Sequence, residues 1–447
     1  VNTRAAAAMR LFAPCPRGLE ALLADELVAL GAAGARIVPG GVAFEGDTAL
    51  VYTANLRSRL ASRILRELTD GVCRDEDELA RLARRIAWER LMQPRQTLRV
   101  DTTAVRSPLR SLNFANLRVK DAIVDRFREF RGERPSIDTQ RPDVRIFVFL
   151  TEGRATLYVD TSGESLFKRG WRREREDKGL APLKENLAAG LIALSGWTPD
   201  KPLLDPWCGS GTLLIEAAQR ALGIAPGLSR AFGFERLLDH DSALWARLRS
   251  QAIREAQQAG AAPGPRLRIA GSDIDPVAIA QATRNIERAG LADAGIRLAV
   301  ADAADIAPAD DSPGVIVTNP PYGERIAALA GADGGQSGHP RGAAESIACR
   351  QTRDAPAAAA AEPDDTHRLA MAAFGRALKT RFAGWQAHVL SSDRELPRQL
   401  GIRESRKIPL FNGALECRLF RFDVFDRQTR EAHDREHQAR HDRLRGV

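Results

Sequence analysis

From about residue 182 to residue 391 the chain alternates between two kinds of stretch, and that rhythm leaves few folds open. Five apolar runs, "PLLDP", "RLRIAGSDID", "IRLAVAD", "GVIVTNPP" and "WQAHVLSSD", each end in polar or small residues. Helical patterns lie between most of them, including "GTLLIEAAQRAL" and "DPVAIAQATRNIERAG". Strands that are apolar throughout belong in a sheet covered on both faces, and helical crossovers make neighbouring strands parallel. The expected fold is α/β, a doubly wound sheet whose ligands bind beyond the carboxyl ends of the strands. The chemically unusual residues of the chain fall at those ends.

Residues 1–160 have a different pattern. "GLEALLADELVALG" places Leu19, Leu22, Leu23, Leu27 and Leu30 on one helical face, and Gly31 ends the helix. "RIVPGGVAFEG" predicts a hairpin around Pro39-Gly40-Gly41, followed by a helix over about 48–65. "TLRVDTTAV" alternates like a strand, "NLRVKDAIVDRFREFRG" carries Val119, Ile123 and Phe127 at helical spacing, and "RIFVFLTEGRATLYVDTSG" predicts strand, turn and strand. Together they predict a small α+β unit with a mixed or antiparallel sheet. A basic connector and helix over 161–196 then lead into an α/β domain over 197–425. Within that domain, 330–365 is rich in Gly, Ala, Ser, Pro and Asp without periodicity and is expected to be a disordered insertion. Residues 426–447 form a charged tail of helical pattern.

A length of 447 residues suggests two or three domains, and 44% hydrophobic with 28% charged residues is an ordinary soluble composition. No apolar run approaches the roughly 18–20 residues of a membrane span, and the N-terminus lacks the apolar core of a signal peptide. Cys15, Cys73, Cys208, Cys349 and Cys417 include no closely spaced pair, so neither a disulfide framework nor a zinc site is expected, and the expected compartment is the cytoplasm. The net charge of +8 leaves a nucleic-acid partner open. "FKRGWRRERED" concentrates Lys168, Arg169, Arg172, Arg173 and Arg175 around Trp171. That is either a phosphate-gripping connector or a solvated linker, and Trp171 either stacks on RNA or anchors the segment.

"LLDPWCGSGTLLIEAA" puts Asp205 at a strand end, then Cys208, Gly209, Ser210 and Gly211 in a tight turn before a helix. Glycines there let a ligand lie against bare backbone. The spacing lacks the third glycine of a dinucleotide turn, and no suitable acid follows at about 20 residues. Asp273 ends the next strand, where it can hold ribose hydroxyls, and Asp302 ends a third, within reach of an adenine amino group. An adenosine pocket without pyrophosphate machinery points to S-adenosylmethionine. "TNPPYGERI" supplies matching acceptor chemistry: Asn319 Oδ1 and the Pro320 carbonyl can accept both N–H hydrogens of a conjugated amine, Pro321 stiffens the turn, and Tyr322 can stack on the base. Cys208 is read as a packing residue rather than a nucleophile, and His433, His437 and His441 share one helical face without a fourth ligand, so no metal is expected.

"DPWCGSGTLLIEAA", "GSDIDP" and "TNPPYGERI" resemble motifs of amino-group class I methyltransferases. With "PRGLEALLADEL", "GGVAFEGD", "SRLASRI", "VKDAIVD", "KRGWR", "APLKENLAA" and "APGLSR", the chain over roughly residues 9–420 resembles the large-subunit rRNA methyltransferase L (RlmL) family. That resemblance implies a Rossmann-like class I methyltransferase domain preceded by an α+β RNA-binding region with a THUMP domain at about 45–158. It implies N2-methylation of a guanine in 23S rRNA and a cofactor or substrate pocket lined from Leu183 to Asn186; the candidate RNA contacts are Lys168, Arg169, Trp171, Arg172, Arg173 and Lys184. Many family members carry a second methyltransferase domain, which is not expected in this chain. A tRNA guanine-N2, DNA adenine or glutamine-amide methyltransferase would use the same acceptor turn. An RNA-binding ribosome assembly factor with secondary catalysis is the alternative outside the enzymes.

Overall fold

The computed structural model describes residues 8–173, 183–261, 267–321 and 365–425. The expectations for Arg175, Tyr322, residues 330–364 and the tail with His433, His437 and His441 lie outside the described residues. The described residues divide into two compact units, one holding residues 8–170 and 224–258, the other those from 171 to 223 and from 259 onward.

The first unit opens with β1 (Met9–Pro14), α1 (Glu20–Ala29), β2 (Ala33–Val38), β3 (Gly41–Gly46), α2 (Thr48–Arg57) and β4 (Leu65–Val72). It continues through α3 (Glu76–Arg84), β5 (Thr97–Val105), α4 (Leu112–Arg131), β6 (Ser136–Ile137), β7 (Val144–Thr151) and β8 (Arg154–Asp160). The strands form one mixed sheet in the order β2-β3-β1-β4-β8-β7-β5-β6, with β5 parallel to both neighbours. The β2–β3 hairpin turns on Pro39-Gly40, where Gly40 takes the left-handed φ of +83° that a two-residue turn demands. Leu23 and Leu27 seal the inner face of α1, with Leu19 buried just before it.

The helix expected over 48–65 stops at Arg57. Ser58 donates its hydroxyl to Glu26 Oε2 at 2.6 Å, and the Arg59 N–H donates to Glu26 Oε1 at 2.8 Å. A carboxylate from α1 thus draws the next segment away from helical bonding, an effect of distant chain that local periodicity does not register.

In the second unit come α5 (Glu185–Ser195), β9 (Leu203–Asp205) and α6 (Thr212–Ala221). After α6 the chain leaves this unit. Residues 224–258, with most of α7 (Ser242–Ala261), pack with residues 8–170, whereas the sequence pattern counts them in the α/β domain. Aromatic packing and backbone bonding explain the placement: Phe234 stacks on Tyr52 at 4.2 Å, its N–H donates to Thr161 O at 2.9 Å, and Gly227 N donates to Leu56 O at 2.9 Å. Arg230 donates to the carbonyls of Ser162, Glu164, Ser165 and Lys168 at 2.5–3.2 Å, and burial lowers its pKa to about 10.

The second unit resumes with β10 (Ile269–Asp273), α8 (Pro276–Arg288), β11 (Arg297–Val300) and β12 (Val315–Thr318). The helix Asp365–Arg381, β13 (Gln386–Ser391), a short helix Leu396–Leu400, β14 (Arg406–Asn412) and β15 (Leu415–Asp423) complete it. The order is β11-β10-β9-β12-β13-β15-β14, parallel through β13 and antiparallel beyond it. The β14–β15 hairpin was not among the expected strands; Phe420 and Phe422 of β15 complete a core with Ile316, Phe374, Phe382 and Val389. The doubly wound sheet is therefore present with an antiparallel edge. No described helix is long and apolar enough to cross a membrane.

Candidate cofactor and acceptor site

Strand β9 lies between β10 and β12, and its helical crossover leads to β10, so the strand order reverses between β9 and β12. Ligands of such sheets bind in the crevice opened at that reversal. Asp205 ends β9 and Thr318 ends β12. The Thr318 hydroxyl donates to Asp205 Oδ1 at 2.7 Å, and the Trp207 N–H reaches the same oxygen at 3.2 Å. Asp205 is 1% exposed; burial, the dominant effect, raises its pKa to about 7, against the lowering by these two donors.

The turn from Cys208 to Gly211 is held on several sides. Gly209 and Gly211 adopt φ of +52° and +83°, conformations that favour glycine. A Cβ on Gly211 would meet Ala282 at 3.2 Å, whereas one on Gly209 would meet nothing within 4 Å. Bare backbone at Gly209 thus faces open space, as a bound nucleoside requires. Gly209 N donates to Asp273 Oδ2 at 3.0 Å, and Cys208 N to Ser272 O at 2.9 Å. Asn285 of α8, fully buried, donates its amide to Ser210 O at 3.1 Å. Cys208 is buried, and burial with the nearby Asp205 and Asp273 pushes its thiol well above the ordinary range, which suits packing rather than nucleophilic use.

Asp273 also accepts from Asp275 N at 3.0 Å, so both its oxygens face turn backbone at the mouth of the crevice. Asp302 is exposed in the loop after β11, with Ala304 N donating to its Oδ1 at 2.8 Å. Beside these acids stand apolar side chains that solvent would ordinarily discourage: Ile274 is 65% and Val300 56% exposed, and Val300 lies opposite Asp273 in the sheet. Carboxylates for hydroxyls or amines beside a bare apolar face suit a ribose and a flat base. The residues present therefore fit an S-adenosyl group. Asn319, half-buried, follows Thr318 directly, with Pro320 buried and Pro321 half-buried after it.

The basic connector is not one cationic surface. Arg169 is 2% exposed and donates to the carbonyls of Leu166 and Arg59 at 2.9 and 2.7 Å, so it clamps backbone instead of gripping phosphate. Trp171 is 3% exposed and lacks the free face that stacking on RNA requires. Arg172 turns toward the glycine turn, donating to Thr212 Oγ1 at 2.6 Å. Lys168 pairs with Glu164 at 2.8 Å across a partly exposed surface, Arg173 is exposed, and Lys184 is the half-buried residue before α5. In α5, Glu185 and Asn186 are buried.

Thr318, Asn285, Ile274 and Val300 were not among the residues expected at the site. Thr318 had a signal, a polar residue closing an apolar strand; Asn285 had only its place on the apolar face of α8 with Ala282 and Ile286. Among the described residues, no group of three or more His, Cys, Asp and Glu side chains could hold a metal ion.

Three family models match the chain: an RlmL ferredoxin-like domain at residues 10–65, a THUMP domain at 73–160, and an RMKL-like methyltransferase domain at 172–331. Among curated proteins, the ribosomal RNA large subunit methyltransferase K/L of Syntrophotalea carbinolica is 40% identical over 431 residues, 94% of this chain and 54% of that protein. Its counterpart in Methylococcus capsulatus is 42% identical over 419 residues, 92% of this chain and 51% of that protein. The chain thus spans about half the length of the curated relatives it matches. Among solved structures, a putative methyltransferase, SMU.472, complexed with SAH superposes with a TM-score of 0.75 at 29% identity, covering 93% of this chain and 98% of that one. A predicted N6-adenine-specific DNA methylase from Listeria monocytogenes superposes with a TM-score of 0.76 at 30% identity, covering 93% and 96%.

Proposed function

The chain belongs to the THUMP-containing family of RMKL-like, S-adenosylmethionine-dependent methyltransferases, and from that premise we propose that it methylates the exocyclic N2 amine of a guanine in 23S rRNA. The observation that carries this reading is the junction of Asn319-Pro320-Pro321 with the cofactor strand, through the Thr318–Asp205 hydrogen bond at 2.7 Å. An exocyclic base amine is a weak nucleophile because its lone pair is delocalised into the ring. Asn319 Oδ1 and the Pro320 carbonyl accept its two N–H hydrogens, which favours a pyramidal nitrogen whose lone pair points away from the ring plane. Tyr322 stacks on the base in this proposal and fixes its plane. Bound S-adenosylmethionine supplies the electrophilic methyl. The nitrogen becomes acidic as its bond to carbon forms, so the chain needs no strong base at this point. Gly209 and Gly211 give close backbone approach, Asp273 holds the ribose hydroxyls, and Asp302 accepts from the adenine amine. The family's THUMP domain favours structured RNA over DNA or protein as the carrier of the amine.

The test is nucleoside mass spectrometry of 23S rRNA from a strain lacking this chain, before and after treatment with the purified protein and S-adenosylmethionine. The expected result is N2-methylguanosine missing from the untreated rRNA and restored by treatment. A methyl group restored on adenine instead, or on tRNA alone, would overturn the assignment.

A further inference from the structure

Arg172 sits where its charge has little to do with a solvent-exposed RNA backbone. Its side chain is only 14% exposed, and its Nη2 donates to Thr212 Oγ1 at 2.6 Å and lies 3.4 Å from Ser210 Oγ. Its Nε stands 3.6 Å from Glu185 Oε1, and its guanidinium lies 5.1 Å from the Trp171 ring centroid. The tryptophan ring and the glutamate hold the guanidinium fork against the glycine turn.

We infer that Arg172, with the hydroxyls of Ser210 and Thr212, binds the carboxylate of the cofactor's amino-acid end. This rests on the S-adenosylmethionine reading and deepens it. The amino-acid end of that cofactor is a zwitterion, and a pocket that holds it needs one group of each sign. Asp273 supplies negative charge on the strand side of the turn; Arg172 supplies the positive charge on the α6 side. A guanidinium is the side chain suited to a carboxylate, because its parallel N–H groups match the two oxygens. Ser210 and Thr212, already within reach of the same guanidinium, can each turn a hydroxyl hydrogen toward that anion. The assignment replaces the expected phosphate contact at Arg172 and leaves Lys168 and Arg173 as the exposed basic residues among the described residues of the connector.

Decarboxylated S-adenosylmethionine keeps the adenosine, the sulfonium and the amine but lacks the carboxylate, so it isolates this contact. Calorimetry of the full chain should show wild type binding S-adenosylmethionine about 10- to 100-fold more tightly than the decarboxylated form, the scale of one charged hydrogen-bonded contact. Arg172→Gln should erase that preference by weakening only the carboxylate-bearing ligand, and Arg172→Lys should keep part of it. Because Arg172→Gln takes a guanidinium away from the buried Glu185, the double variant Arg172→Gln with Glu185→Gln should give the same lost preference in a chain that melts like wild type. Equal weakening of both ligands, or an unchanged preference, would overturn the inference alone. A wild-type chain that bound neither ligand would overturn the cofactor reading and this inference with it. A variant whose preference stays intact while its rRNA affinity falls would return Arg172 to phosphate binding.

Discussion

Thr318 and Asp205 stand at the carboxyl ends of adjacent parallel strands, and the threonine hydroxyl donates to the aspartate across 2.7 Å with both side chains sealed from solvent. Asn319 follows the threonine and the glycine turn follows the aspartate, so one bond ties the acceptor loop to the cofactor loop. Thr318→Val keeps the shape and deletes the donor. It should cost about 1–3 kcal/mol of stability, the scale for stripping a partner from a buried polar group. It should also lower kcat more than it weakens cofactor binding. Denaturant melts with single-turnover kinetics check both; wild-type turnover would separate the two loops.

Asp205 also makes stability depend on pH. Its folded pKa of about 7 lies above the ordinary 3.8, so the folded chain holds this proton more tightly than the unfolded one. The contribution is complete below about 3.8 and is lost as pH rises through 7. Melting of the cofactor-free chain should therefore lose stability between pH 5 and pH 8 by an amount that Asp205→Asn removes. Parallel profiles for the two proteins would mean that the carboxyl is not protonated in the fold.

His388 works in the opposite direction. It lies in β13, 2% exposed and opposite Arg421; burial first, and Arg421 second, lower its pKa to about 4, with Asp423 opposing them. A histidine held neutral stabilises the fold above its ordinary value near 6.5, and that contribution disappears as pH falls through 4. His388→Leu should flatten the melting profile between pH 6.5 and pH 4, measured by circular dichroism.

Asp273 and Asp275 are separable by calorimetry. Asp273→Ala should weaken S-adenosylmethionine binding by about 1–3 kcal/mol, because it removes both the proposed ribose acceptor and the partner of Gly209 N. Asp275 caps α8, accepting from Val277 N at 2.8 Å, so Asp275→Ala should cost about 0.5–2 kcal/mol of stability and little affinity. The reverse pattern would relocate the ribose.

Asn319 is proposed to accept more strongly as the amine gains charge, which places its contribution in the transition state. Asn319→Ala should lower kcat by ~10²–10³ with cofactor affinity nearly intact, and Asn319→Asp should retain partial activity. Turnover of rRNA by Asn319→Ala at the wild-type rate would remove the amine from this loop.

The sequence by itself determined the parallel sheet, since apolar runs that end in Asp205, Asp273 and Thr318-Asn319 can be buried on both faces only between helices. It also determined the glycine turn, because the positive φ at Gly209 and Gly211 is a local demand that composition displays. Local pattern could not place residues 224–258, whose Phe234, Arg230 and Gly227 find their partners 62 to 182 positions away, at Tyr52, Ser162 to Lys168 and Leu56. It could not end α2 at Arg57, because the competing acceptor is Glu26 of another helix. Nor could it divide the connector. Lys168, Arg169, Arg172 and Arg173 form one run of charge in the sequence, yet a guanidinium has no periodicity that says where it will point. Only the folded chain gave Arg169 to buried carbonyls and turned Arg172 onto the hydroxyls of Ser210 and Thr212, because burial depth and partner geometry are properties of packing.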